Sequence, residues 1–93
     1  MKPDPSTHLV NGDYIRALIK LSGLDVNPFA KRIGKNPRTV RYWRSWDHPF
    51  EYPEQYTAEK LTAYTLAEDR DISLSDAWAI IVSTRERLAS RGR

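Results

Sequence analysis

Six cationic side chains, Lys31, Arg32, Lys35, Arg38, Arg41 and Arg44, fall within residues 26–46, VNPFAKRIGKNPRTVRYWRSW, and no acidic residue lies among them. That stretch is +6 while the whole 93-residue chain is only +3, which leaves −3 for the remainder. Guanidinium and ammonium groups bind oxyanions, and an arginine can grip a phosphate or a guanine edge through two parallel hydrogen bonds. Charge concentrated in this way is the footprint of a polyanion-binding face. Many charge runs mark only a solvated surface. Here, however, the cations coincide with a pattern of short helices that would carry them outward.

Other chemistries find little support. The chain has no cysteine, so neither a disulfide framework nor a thiolate metal site is expected, and no cofactor is implied. Its two histidines are isolated. His48 stands beside Pro49 with no second His or Cys near it, which suits a turn or a cap better than a metal ligand or general base. There is no glycine-rich phosphate loop and no Ser-His-Asp arrangement, so an enzyme is the least favoured class. The apolar runs are only a few residues long, which excludes a transmembrane helix, and the N-terminus lacks the apolar centre of a signal peptide; a cytoplasmic protein is expected. Composition, with 40% apolar and 11% aromatic residues, suits one folded domain.

The cations need elements to position them. Asn27 is the expected N-cap of a first helix with Pro28 at its first position, running through Phe29, Ala30 and Ile33 to a stop at Gly34. Asn36 and Pro37 repeat the same start signal for a second helix, from Pro37 to about Ser45. Phe29, Ile33, Val40 and Trp43 recur at helical intervals and form the buried stripes, and Trp43 is expected to lie between the second helix of the pair and the first helix of the chain. Ala30, with almost no side chain, permits the close crossing, and Gly34 the sharp change of direction. This is a helix-turn-helix pattern.

The series Ala30, Gly34, Val40 and Trp43, with Phe29 and Ile33 between, resembles the phage-repressor and Cro-type helix-turn-helix regulators. It departs from them at Lys35, where an apolar residue is usual, and at Val26, where glutamine is frequent. Over residues 12–67 the chain also looks like the small regulators encoded beside anti-CRISPR genes in phages, on the strength of the helix-turn-helix, Tyr52-Pro53, Tyr56-Thr57 and the helix after them. That resemblance implies a dimer that represses its own operon.

The flanking segments complete an all-α reading, a small bundle of about five helices. A mobile arm is expected over residues 1–11, a DNA-binding domain over 12–68, and a C-terminal helix within 69–93 that completes the core or forms a dimer. Asp13 should cap a helix from Tyr14 to Leu21 whose stripe is Ile15, Leu18 and Leu21, with Tyr14 alongside. After the proline- and aromatic-rich residues 47–56, where Phe50, Tyr52 and Tyr56 are expected to fold over the core, a helix should run from Glu54 or Thr57 to Glu68. Its apolar side is expected to hold Ala58, Leu61, Tyr64 and Thr65. Ser73 is an N-cap with Asp76 three residues on, and the last helix should reach about Ser90 with Gly92 beyond. Leu74, Trp78, Ile81, Arg85 and Leu88 form its stripe, widened by Ala77, Ile80 and Val82.

These placements assign roles. Along the helix after the turn, Val40 and Trp43 face inward, so Asn36, Arg38, Thr39, Arg41 and Tyr42 are the candidate contacts to DNA bases, with Arg38 and Arg41 directed at guanine. Lys31, Arg32, Lys35 and Arg44 are candidate phosphate contacts. Trp78, Ile81, Val82 and Arg85 are candidates for a homodimer interface, because two half-sites read more sequence than one. The leading expectation is a sequence-specific double-stranded DNA-binding regulator, a dimeric repressor acting on an inverted repeat. The alternative is a protein-interaction module or antitoxin-like adaptor built on the same helix pair.

Overall fold

Helix α1 (Asn11–Ser22) is the element on which the others rest. Its residues Tyr14, Ile15, Leu18 and Ile19 are buried, and among the described residues it is the one helix in contact with all four others. The computed structural model describes residues 11–45 and 53–91, arranged as α1, α2 (Val26–Arg32), α3 (Pro37–Trp43), α4 (Glu54–Arg70) and α5 (Leu74–Arg91). The protein is all-α: five helices and no strand lie among those residues. The expected arm, the folding of Phe50 and Tyr52 over the core, and the roles of His48 and Gly92 lie outside them.

Helix α1 begins at Asn11 rather than Tyr14. Asp13 therefore sits in the first turn, where its negative charge favours the helix N-terminus and its carboxylate meets Arg16 at 3.4 Å. Ile19 takes the buried place expected for Leu21, which is only half-buried. At the other end the Ser22 hydroxyl donates to the Ile19 carbonyl at 2.6 Å, and Gly23 adopts φ +74°, closing the helix.

The α2–α3 pair is defined at the turn. Gly34 has φ +73°, its N–H donates to the Lys31 carbonyl at 3.2 Å, and the Lys35 N–H reaches the Ala30 carbonyl at 2.9 Å. These two bonds form a Schellman closure, which satisfies carbonyls the helix end leaves open and requires a left-handed residue at Gly34. Asn36 then caps α3: its Oδ1 accepts from the Arg38 N–H at 2.8 Å, and Pro37 follows at the first helical position. The start of α2 differs from expectation. Asp25 occupies the N-cap position, with its carbonyl accepting from the Phe29 N–H at 3.0 Å, so Asn27 lies inside the first turn and its side chain is released from capping.

Helices α4 and α5 complete the core. Ala58, Thr62, Ala63 and Leu66 of α4 are buried, whereas Tyr64, expected inside, is 60% exposed; Thr62 and Ala63 occupy the inward face instead. Asp71 ends α4 in a left-handed conformation (φ 53°, ψ 48°), and the Ser73 Oγ accepts from the Asp76 N–H at 3.0 Å to cap α5. The single stripe expected on α5 resolves into two. Ala77, Ile81, Thr84 and Leu88 are buried, and the adjacent row of Leu74, Val82 and Arg85 faces outward. Ala77, Ile81 and Leu88 belong to the same apolar cluster as Tyr14, Phe29 and Val40, so α5 completes the core of the monomer. No helix among the described residues is long and apolar enough to cross a membrane.

Candidate nucleic-acid interface

Trp43 and Val40 anchor α3 from within. Val40 is fully buried and Trp43 is 8% exposed, bordering a cleft of about 120 Å³ whose other walls are Ile33, Lys35, Pro53, Glu54 and Thr57. Trp43 is thus buried as its spacing from Val40 predicts, and the cleft sets it against the end of α2 and the start of α4. Phe29 and Ala30, both fully buried, do the same for α2. With these four residues fixed, the remaining faces of both helices are set.

On those faces Lys31, Arg32, Arg38 and Arg41 are exposed, together with Lys35, Asn36 and Tyr42. Arg38 and Arg41 are three apart on α3 and therefore neighbours on its surface. Thr39 and Arg44 are half-buried, so neither presents as much surface to a partner as the sequence suggests. Arg44 lies at the C-cap, where its N–H donates to the Val40 and Arg41 carbonyls at 3.2 Å.

Three side chains have partners that spacing alone does not reveal. Lys35 Nζ stands 3.5 Å from Glu54 Oε1, so its charge is partly met within the molecule; an exposed pair of this kind contributes about 0–1 kcal/mol and is weakened by salt. The Asn36 Oδ1 is engaged in the cap. A bidentate adenine contact needs both the oxygen and the amide nitrogen of an asparagine, so Asn36 retains mainly its N–H2 donors for a ligand. Arg41 Nη2 donates to Asn27 Oδ1 at 3.0 Å, across the turn from α3 to α2. Asn27 is the residue of this face that sequence reasoning placed differently. The contact joins residues fourteen apart, and periodicity within one helix carries no signal of it.

The candidate dimer residues are dispersed. Ile81 is 1% exposed and packed in the monomer core, so it is not available to a second subunit in this conformation. Val82 is 48% exposed, and Trp78 is half-buried with its ring stacked on Tyr56, centroids 6.2 Å apart. Arg85 lies 3.9 Å from the Glu59 carboxylate with its side chain 56% exposed. Lys60 Nζ sits 4.8 Å from the centre of the Tyr56 ring, so this face combines an aromatic stack with a cation.

No protein-family model matches the chain, and neither a curated protein nor a solved structure matches it.

Proposed function

We propose that this protein is a sequence-specific double-stranded DNA-binding regulator that uses α2 and α3 as a helix-turn-helix, with α3 entering the major groove. The observation that carries the reading is the exposed cationic set Lys31, Arg32, Arg38 and Arg41 on two helices whose other faces are locked into the core. No acidic residue interrupts residues 26–46. Such a surface releases counterions from a nucleic acid and gains affinity that falls steeply with salt. Arg38 and Arg41 are the base readers, Tyr42 supports them with an exposed ring, and Lys31, Arg32 and Arg44 contact phosphates. Thr39, half-buried, contributes a methyl or hydroxyl contact at short range.

The active form in this proposal is a homodimer that binds an inverted repeat and represses transcription. The outward row of α5 supports it, since Val82 and Leu74 leave apolar surface beside the Tyr56–Trp78 stack. The resemblance to the regulators encoded beside anti-CRISPR genes makes autorepression the specific form of the proposal. Selection of bound fragments from a random duplex pool tests it: recovery of one palindromic motif is expected, and recovery of none removes the DNA-reading function. If replacing Arg38, Arg41 and Arg44 by neutral residues leaves binding to a protein partner intact while no duplex is recovered, the chain is an interaction module instead.

A further inference from the structure

Asn27 has been released from helix capping, because Asp25 holds the N-cap position of α2, yet its side-chain oxygen accepts from Arg41 Nη2 at 3.0 Å. The two residues meet only in the folded pair. The Schellman closure at Gly34 and the fully buried Ala30 fix how α2 and α3 cross, and that crossing brings Asn27 on α2 to Arg41 on α3. A guanidinium carries five N–H donors in a rigid fork, and Asn27 occupies one. Enough donors remain for a bidentate contact to the O6 and N7 atoms of guanine.

We infer that Asn27 is a positioning residue for base reading: it holds the Arg41 guanidinium in the plane needed to grip a guanine, so specificity at one base pair of each half-site is set by a residue outside α3. This inference rests on the DNA-binding function proposed above. Its physical content is preorganisation. A long exposed arginine loses rotamer freedom when it grips a base, and a side chain already tethered has lost part of that freedom before the ligand arrives.

The test uses the full chain and the duplex recovered by the wild type from a random pool. Asn27→Ala is expected to fold normally, because its side chain is exposed and caps nothing. On the recovered duplex it should lose affinity about fivefold and on a scrambled duplex less than twofold, with Arg41→Ala losing about tenfold or more on the first. The double variant should bind no worse than Arg41→Ala alone, since Asn27 acts only through Arg41. A repeat selection with Asn27→Ala should blur the same base pair that Arg41→Ala blurs and no other. Asn27→Asp keeps the acceptor oxygen and should restore the preference at that base pair, though with lower affinity from its charge. Independent losses that multiply in the double variant, or an unchanged motif for Asn27→Ala, overturn the inference. If the wild type recovers no motif, the DNA-binding function fails. The Arg41 guanidinium proton resonances then decide the tether separately: sharp signals in the wild type that broaden in Asn27→Ala support it, and identical spectra refute it.

Discussion

The Tyr14 hydroxyl on α1 donates a hydrogen bond to the Glu59 carboxylate on α4, and both side chains are buried. Arg85 on α5 stands 3.9 Å from the same carboxylate, so one acidic group links three helices. A buried carboxylate is costly unless it is paired and hydrogen-bonded, and here it is met by a phenol from one side and a guanidinium from the other. Among the described residues no buried side-chain nitrogen or oxygen lacks a partner. The polar link thus stabilises the arrangement of α1, α4 and α5 without leaving an unsatisfied atom inside.

Burial first, and then the Glu59 contact, push the Tyr14 phenol well above the ordinary tyrosine value, while Arg85 pulls weakly the other way. The consequence for stability has a definite sign. Below about pH 10 the phenol is neutral in both the folded and the unfolded chain, and its contribution is fully present. Above that pH the unfolded chain releases the proton and the folded one does not, so stability should fall by about 1.4 kcal/mol per pH unit from this group alone. Urea melts of wild type and Tyr14→Phe between pH 8 and 11 check it. The variant should lose about 1–3 kcal/mol at about pH 8, because Glu59 loses a donor, and its alkaline slope should be shallower. Parallel slopes for the two proteins would rule out the Tyr14 contribution.

Asn36 offers a cleaner local test. Its Oδ1 accepts from the Arg38 N–H, and the Thr39 N–H donates to its carbonyl at 2.9 Å, so it starts α3 with both side chain and backbone. Asn36→Ala should cost about 1 kcal/mol and Asn36→Asp much less, since aspartate caps as well. Thermal melts followed by circular dichroism measure both. Equal destabilisation by the two substitutions would mean that the amide nitrogen, not the cap oxygen, is what matters.

Trp43 anchors the same helix from the other side. Truncating a buried tryptophan costs about 3–5 kcal/mol, so Trp43→Ala should melt far below the wild type, while Trp43→Phe, which keeps an aromatic ring at this buried position, should lose less. A wild-type melting temperature for Trp43→Ala would show that the helix is held by something other than this residue.

How far these features were legible in the sequence follows from where their causes lie. The all-α architecture, the turn at Gly34, the Asn36 cap and the Ser73 cap are written in residues within a few positions of one another, and local sequence specifies them. The sequence points to Asn27 as the start of α2, but Asp25 and Asn27 are both good capping residues two apart, and only the observed Asp25–Phe29 bond separates them. The division of α5 into a buried row through Ile81 and an outward row through Val82 depends on how α5 sits against α1 and α4. Spacing places Ile81 and Val82 on one broad stripe; packing decides between them. The Tyr14–Glu59 and Asn27–Arg41 contacts span 45 and 14 residues, and no local pattern encodes either.

The proposed roles of the arginines separate by salt dependence. Arg41→Ala should weaken binding to a selected duplex by about 1–3 kcal/mol and to a scrambled duplex far less, whereas Arg44→Ala should weaken both alike and lower the salt slope by about one. Lys35, already 3.5 Å from Glu54, should change the slope less than Lys31 does, because fewer counterions are displaced when its charge is met internally. Titrations across a salt series on both duplexes decide it. Equal losses on the two duplexes for Arg41→Ala would remove Arg41 from the base-reading set.

Self-association should respond differently to charge at two neighbouring positions of α5. Ile81 is 1% exposed and Val82 is 48% exposed, one residue apart. An aspartate at 81 would place a charge without a partner in the apolar cluster that includes Leu18 and Leu66, a change that costs several kcal/mol, so Ile81→Asp should unfold the chain. An aspartate at 82 would be hydrated in the monomer and cost the fold little. If the outward row of Leu74, Val82 and Arg85 joins two subunits, Val82→Asp must bury that charge in the contact and should sediment as a folded monomer where the wild type sediments as a dimer. Circular dichroism on the same samples distinguishes dissociation from unfolding. A Val82→Asp protein that stays dimeric would move the interface off this face of α5.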